Sequence, residues 1–189
     1  LVGDNMLVMI DAKQPAAGKT VAVKGVERLL GIDMRPADKK LYGVSADGTV
    51  VTIDPMTGET SKVSTLDKMI PASVQAVVDF NPAADKLRFM GSDGTNLRAD
   101  VTTGKVTTDG TLAFEQGDMH AGEKPNVVAA AYTNSHGKPE KTAMYNIDAT
   151  LAALIQQTKP NDGTLKAIGK LGVGNRIEAA RLARQKGWL

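Results

Sequence analysis

The histidines are the residues whose chemistry is easiest to name, and the sequence has two of them, His120 and His136. Together with Asp118, two positions before His120, they could supply nitrogen and oxygen ligands to a metal ion. Both histidines, however, lie in polar segments typical of loops, GDMHAGEKP and TNSHGKPEK. We interpret them as solvated loop residues, and the sequence predicts neither a metal site nor a cofactor.

Aspartate–glycine pairs recur along the chain and invite comparison with calcium-binding loops. An EF-hand loop needs oxygen ligands at positions 1, 3, 5 and 12 around a central glycine, and no segment has that spacing. Aspartate and glycine are also the residues that tight turns favour. The predicted turn residues are Asp47, Gly48, Asp93, Gly94, Asp162 and Gly163. Three further aspartates, which suggest a repeated turn bond at strand ends, are Asp54, Asp100 and Asp148.

No arrangement of residues indicates a catalytic nucleophile or an acid–base pair. The chain has no cysteine and no Gly-x-Ser-x-Gly elbow. The sequence gives no argument for paired carboxylates, since Asp33 and Asp79 occupy equivalent positions of an internal repeat. The repeat explains them without catalysis, so no catalytic residue is predicted.

The repeat is the strongest pattern in the sequence. Residues 31–58 align with residues 77–104 without a gap, at an offset of 46 residues and with 11 of 28 positions identical. Each copy contains a short strand, an Asp-Gly turn, a returning strand rich in β-branched residues, a Thr-Gly turn and a further strand. A period of this length is typical of propeller blades, which are sheets of four antiparallel strands.

Weaker copies of the repeat flank this pair. Asp4–Asp11 resembles Asp47–Asp54, residues 127–132 and 142–148 look like a pair of strands, and residues 161–168 repeat an Asp-Gly turn followed by a strand. The chain therefore holds about three and a half units. Residues 148–157 break the pattern, because leucine and isoleucine at helical spacing there predict one or two helical turns.

The composition is close to that of an ordinary globular chain. Hydrophobic residues make up 42% and charged residues 23%, which argues against disorder, and aromatic residues are only 4%. No apolar run approaches the ~18 residues that span a bilayer, so we expect no membrane partner. Aromatic residues are not interleaved with basic ones, which argues against nucleic-acid binding by the body of the chain.

The last residues differ from the rest. Residues 175–188 predict a basic amphipathic helix, and residues 166–189 carry a formal charge of +5 against −3 for residues 1–165. Residues 170–179, KLGVGNRIEA, resemble the end of a LuxR-type helix-turn-helix. A fusion, an artefact and chance similarity all remain open as explanations. Nucleic-acid contact through this tail would use Arg176, Arg181 and Arg184.

Several segments in order resemble a bacterial domain-of-unknown-function family, number 4394. They are LLGIDMRPADKKLYGVSADGTVVTIDPMTG, VDFNPAADKLRFMGSDGTNLRAD, GDMHAGEKPNVVAAAYTNS, TAMYNID and KPNDGTLKAIGKLG. The resemblance covers about residues 1–173. It implies a propeller-like β fold and a periplasmic or secreted location, any signal peptide having been removed, and it carries no catalytic residues over to this chain.

The sequence thus predicts an all-β fold of propeller-like antiparallel blades with a period of about 46 residues, in a ring that can be incomplete, with a short C-terminal α-helix. Residues 1–173 form the repeat domain and residues 174–189 the tail. We expect a non-enzymatic exported binding or scaffold module, with a protein partner or self-association at an exposed blade edge. The alternatives are an enzyme with a site in the central channel and a DNA-binding regulator that uses the tail.

Overall fold

The computed structural model describes residues 1–11 and 13–170, and every regular element within them is a β-strand. A two-stranded antiparallel hairpin comes first, formed by β1 (Met6–Asp11) and β2 (Gln14–Ala22). Three larger sheets follow, and the four antiparallel strands of each are called a blade below. In the described part of the chain, no apolar helix of membrane-spanning length occurs.

The first two blades have the same order of strands. The first contains β3 (Leu29–Met34), β4 (Leu41–Ser45), β5 (Thr49–Ile53) and β6 (Thr60–Thr65). The second contains β7 (Ala76–Asn81), β8 (Lys86–Gly91), β9 (Asn96–Ala99) and β10 (Val106–Thr108). In both, each strand pairs antiparallel with the next one along the chain.

The third blade carries an extra strand on its outer side. Its strands are β12 (Val127–Tyr132), β13 (Met144–Asp148), β14 (Ala153–Lys159) and β15 (Thr164–Lys170). The short β11 (Ala113–Phe114), which precedes them in sequence, pairs parallel with β15. The all-β, propeller-like prediction is confirmed, and the hairpin with three blades matches the expected three and a half units.

One secondary-structure prediction is wrong. Residues 148–157 do not form helical turns; they form a turn that leads into β14. Burial alternates along this strand, with Ala153, Ile155 and Gln157 buried and the residues between them half-buried. Because β14 pairs with a strand on each side, the ladder and the packing outweigh a helix propensity that is only a weak preference.

The hydrophobic core lies between the sheets rather than inside any one of them. One cluster joins the first and second blades and includes Tyr42, Val44 and Phe80. The rings of Tyr42 and Phe80 pack edge to face, with their centroids 5.4 Å apart. A second cluster joins the second and third blades, and a third places Leu7 of the hairpin on the first blade. Each sheet therefore depends on its neighbour for burial.

A glycine in a turn brings each sheet against the one before it. Gly58 lies in the turn between β5 and β6 and contacts the backbone of Ala22, and Gly104, in the equivalent turn of the second blade, contacts Thr65. A Cβ atom on Gly104 would lie 2.1 Å from the Thr65 carbonyl oxygen, and the φ of Gly104 is +77°. Only glycine fits such a position without displacing the neighbouring strand.

The predicted C-terminal helix and the domain boundary at residues 173–174 lie outside the described residues.

Candidate functional site

The first strands of the three blades, β3, β7 and β12, are neighbours and are called the inner strands below. Two carboxylates on these strands connect neighbouring blades. The Phe80 N–H donates to Asp33 Oδ2 at 2.7 Å, and the Tyr132 N–H donates to Asp79 Oδ1 at 2.9 Å. Asp33 of β3 thus reaches β7, and Asp79 of β7 reaches β12. The repeat in the sequence produces a repeated hydrogen bond, in which each aspartate binds the inner strand of the next blade.

The same two carboxylates have raised pKa values. Burial, followed by the nearby charge of Asp33, raises the pKa of Asp79 to about 7. Burial also raises the pKa of Asp33, although its bond from the Phe80 N–H acts in the opposite direction. Asp79 can therefore exchange a proton near neutral pH, which is what acid–base chemistry requires of a carboxyl group.

The aspartates at strand ends satisfy backbone donors in turns. Oδ1 of Asp54 accepts the N–H groups of Met56 and Thr57, Oδ1 of Asp100 accepts two N–H groups in the same way, and so does Oδ1 of Asp148. These bonds account for the carboxylates without a metal or a substrate. Their spacing in the sequence suggested such a turn bond.

The Asp-Gly pairs lie in turns, but not all in the same place. Asp47 and Asp93 accept the N–H groups of Thr49 and Thr95 in the turns between the second and third strands of their blades. Asp162 lies in the turn between the third and fourth strands of the third blade. The two kinds of turn are therefore exchanged in the third blade. Its Asp-Gly turn follows the third strand, and the turn held by Asp148 follows the second strand, where the first two blades have their Asp-Gly turns.

A buried polar network between the second and third blades was not anticipated from the sequence. Arg88 is 1% exposed and forms an ion pair with the buried Asp109, which also binds Arg98. Arg88 donates further to Asn96 at 2.9 Å and to Asn161 at 3.0 Å. A charged residue within a strand resembles a surface position in sequence, and no pattern distinguished Arg88 from one.

The histidines and Asp118 do not come together as a metal site. Asp118 Oδ1 accepts the His120 N–H and its Oδ2 accepts the Ala167 N–H, so this carboxylate fixes the long loop to β15. The His120 ring lies 3.2 Å from Glu123 Oε1, while His136 follows the opposite end of β12. Among the residues that the structure describes, no three acidic or histidine side chains could hold a metal ion.

A shallow cavity of about 390 Å³ opens between the start of β3 and the start of β7. Its polar lining includes Arg28, Ser73 and Gln75, and the Arg28 Nε lies 3.7 Å from Asp4 Oδ1. This size is at the lower end of the range for small-molecule pockets.

On the side away from β2, β1 is paired only at its start, where Met6 exchanges two backbone hydrogen bonds with Val2. The Val23 N–H donates to the Asn5 carbonyl. Because backbone groups of successive residues alternate between the two sides of a strand, those of Leu7 and Met9 also point toward β2. The backbone groups of Val8 and Ile10 therefore point to the other side, where they form no backbone hydrogen bond to any described residue. We call these groups the open edge of β1.

The arginines proposed for nucleic-acid contact, Arg176, Arg181 and Arg184, lie outside the described residues, as does the segment that resembles a helix-turn-helix.

Solved structures share this fold at low sequence identity. A protein of unknown function from Bacteroides thetaiotaomicron aligns with a TM-score of 0.54 and 18% identity over 88% of this chain and 41% of its own. A phosphatase candidate from the same organism aligns with a TM-score of 0.52 and 12% identity over 88% of this chain and 42% of its own.

A third likeness is to the WD40 domain of Toxoplasma gondii coronin, with a TM-score of 0.42 and 12% identity over 84% of this chain and 38% of that one. The chain spans about two fifths of the length of these structures, and the likeness concerns the fold alone.

No curated protein matches the sequence. A family model described as a domain of unknown function, DUF4394, matches residues 6–181, which include all three blades and the hairpin. The match ends beyond residue 173, where the resemblance in the sequence had been expected to stop. The chain therefore belongs to the DUF4394 family of domains of unknown function.

Proposed function

We propose that this protein is a non-enzymatic binding or scaffold module that engages another polypeptide through an exposed blade edge. The observation that carries the proposal is the open edge of β1, where strand backbone is left without a partner among the described residues. Unpaired strand edges favour pairing with a further strand, in a second copy or in a partner.

The use of the acidic side chains supports a structural role for most of them. Asp54, Asp100 and Asp148 hold turns, and Asp33 and Asp79 join blades. Carboxylates engaged with backbone donors are not available to hold a substrate without loss of those bonds.

Sedimentation velocity over a wide range of protein concentration tests the proposal. The protein is measured alone and after addition of periplasmic extract from its native host. We expect a faster-sedimenting species that contains the protein in at least one of the two series. A single sharp monomer boundary in both would contradict the proposal.

We propose in addition that the protein works outside the cytoplasm, in the periplasm or as a secreted protein. The absence of cysteine permits any compartment, and the support is the resemblance of the sequence to an exported family. Cell fractionation of the native host, with an antibody against the protein, tests this. Recovery in the cytoplasmic fraction alone would contradict it.

A second candidate function is acid–base catalysis at the inner strands. The observation that favours it is the pair Asp33 and Asp79, with the pKa of Asp79 raised to about 7 by burial and by Asp33. Hydrolysis of a panel of chromogenic ester, glycoside and phosphate substrates would be compared between the protein and its Asp79→Asn variant. Turnover that is equal in the two, or absent from both, would contradict catalysis by this pair.

A further inference from the structure

The cavity of about 390 Å³ between the starts of β3 and β7 has walls that the fold holds in place. The turn between β4 and β5 donates an N–H group to the Arg28 carbonyl, and the Leu29 N–H donates to the Asp4 carbonyl at 2.7 Å. On the opposite wall, the turn between β8 and β9 donates an N–H group to the Gln75 carbonyl. The backbone around the cavity is therefore fixed before any ligand binds, which lowers the entropy cost of binding.

The floor of this cavity is apolar. It contains Leu30, Val74 and Ala76, which are half-buried and pack against the core cluster that joins the first and second blades. A ligand that places hydrocarbon on this floor removes apolar surface from water, on the protein and on itself. The floor therefore favours a ligand with an apolar part.

The rim of the cavity carries two opposite charges that the fold does not use. The Arg28 Nε lies 3.7 Å from Asp4 Oδ1, which is beyond hydrogen-bond distance, and the two side chains are 55% and 73% exposed. In the described part of the chain, the Arg28 guanidinium and the side chains of Ser73 and Gln75 form no hydrogen bond. An exposed ion pair of this kind adds little to stability, so the folded state alone gives no reason for these groups to converge above an apolar floor.

The spacing of the two charges indicates the chemistry of a ligand. The guanidinium of Arg28 offers a pair of N–H groups that matches a carboxylate, and the carboxylate of Asp4 accepts hydrogen bonds from an ammonium group. In an α-amino acid, the carboxylate and the ammonium group are attached to one carbon, so they are as close together as the two protein charges. The side chain of such a ligand leaves the same carbon and is free to reach the floor.

We propose that this cavity binds a free α-amino acid with an apolar side chain. Arg28 binds the carboxylate of the ligand, Asp4 binds its ammonium group, and its side chain lies on Leu30 and Val74. The cavity volume, at the lower end of the range for small-molecule pockets, suits a ligand of this size. The site uses other residues than the open edge of β1, so the inference is independent of the proposed function.

Titration of isotope-labelled protein with L-leucine, followed through the backbone amide chemical shifts, tests the proposal. We expect saturable shifts at the amides that line the cavity, among them those of Leu30, Val74 and Gln75. Two related compounds are matched ligand controls: ε-aminocaproate is an isomer of leucine with its charges far apart, and isocaproate is leucine without the ammonium group. Each should bind at least about tenfold more weakly, because each loses one charge-assisted contact.

Protein variants assign the two charges. Arg28→Ala and Asp4→Asn should each weaken leucine binding about tenfold, and both residues are exposed, so the fold should persist. Lys24→Ala is the matched control, since Lys24 forms a similarly exposed ion pair with Glu59 outside the cavity, and it should leave binding unchanged. Ala72→Trp, at an exposed position of the lining, should abolish binding because the indole fills the cavity.

The absence of saturable shifts up to the solubility limit of leucine would overturn the inference. Equal affinity for leucine and ε-aminocaproate would also overturn it, because recognition would then not depend on two charges held on one carbon. Unchanged affinity in both Arg28→Ala and Asp4→Asn would place the ligand elsewhere and have the same consequence. The sedimentation test of the proposed function is decided separately from all three results.

Discussion

Replacement of Asp79 with asparagine should stabilise the protein, by an amount that depends on pH. Burial and then the charge of Asp33 raise the pKa of Asp79 from 3.8 to about 7. The native state therefore holds a proton that the unfolded chain releases between these values, and the contribution of Asp79 to stability falls as pH rises through this window. Asparagine cannot ionise and escapes this loss.

The size of the effect follows from the shift. A difference of about three pKa units corresponds to roughly 4 kcal/mol, and because Asp79 is not completely shielded from water we expect about 2–4 kcal/mol. The side-chain oxygen of asparagine can still accept the Tyr132 N–H, so the bond between blades persists. The variant should match the wild type near pH 4 and exceed it above pH 7.

Urea unfolding followed by circular dichroism between pH 4 and pH 9 measures this difference. Asp47→Asn is the matched control, because bonds from the Thr49 N–H and hydroxyl lower the pKa of Asp47 from 3.8, so the effect of its substitution varies only below that pH and stays constant between pH 4 and pH 9. A difference for Asp79→Asn that is independent of pH, or a variant less stable than the wild type at pH 9, would refute the reasoning.

Two further pairs of substitutions test the buried ion pair of Arg88 and the close backbone contact of Gly104. Asp109→Asn should reduce the free energy of unfolding, measured by the same urea titration, by about 3–5 kcal/mol, because it leaves the buried Arg88 without its counter-charge. Arg98→Ala, at the exposed side of the same carboxylate, should reduce it by under about 1 kcal/mol. Gly104→Ala should lower the thermal midpoint well below that of Gly117→Ala, since both glycines have positive φ but only Gly104 abuts a neighbouring backbone. Equal losses within either pair would contradict the assigned contacts.

The repeat made the blades predictable because turn residues and strand residues recur at a fixed spacing. Asp-Gly and Thr-Gly turns impose backbone conformations that few other residues adopt, so they placed the strand ends in the first two blades. The same reasoning did not predict the turns of the third blade. There Asp162 and Asp148 occupy exchanged turns, and residue type alone does not reveal which turn of a blade a motif belongs to.

Hydrogen bonds between residues of different blades could not be predicted from the sequence. The bond from the Tyr132 N–H to Asp79 joins residues 53 positions apart, and Arg88 meets Asn161 across 73 positions. Such pairs depend on how one sheet stacks on another, which a local pattern does not encode. The strand β14 shows the same effect, because its two ladders override its local helix propensity.

The parallel pairing of β11 with β15 has a consequence for the order in which the chain folds. Antiparallel neighbours joined by short connections close quickly, whereas Ala113 meets its partner Thr164 only after the strands between them have formed. We therefore expect β11 to form late, when it pairs with β15, the outer strand of the third blade. A probe placed at Phe114 would report completion of the third sheet separately from the assembly of the first two.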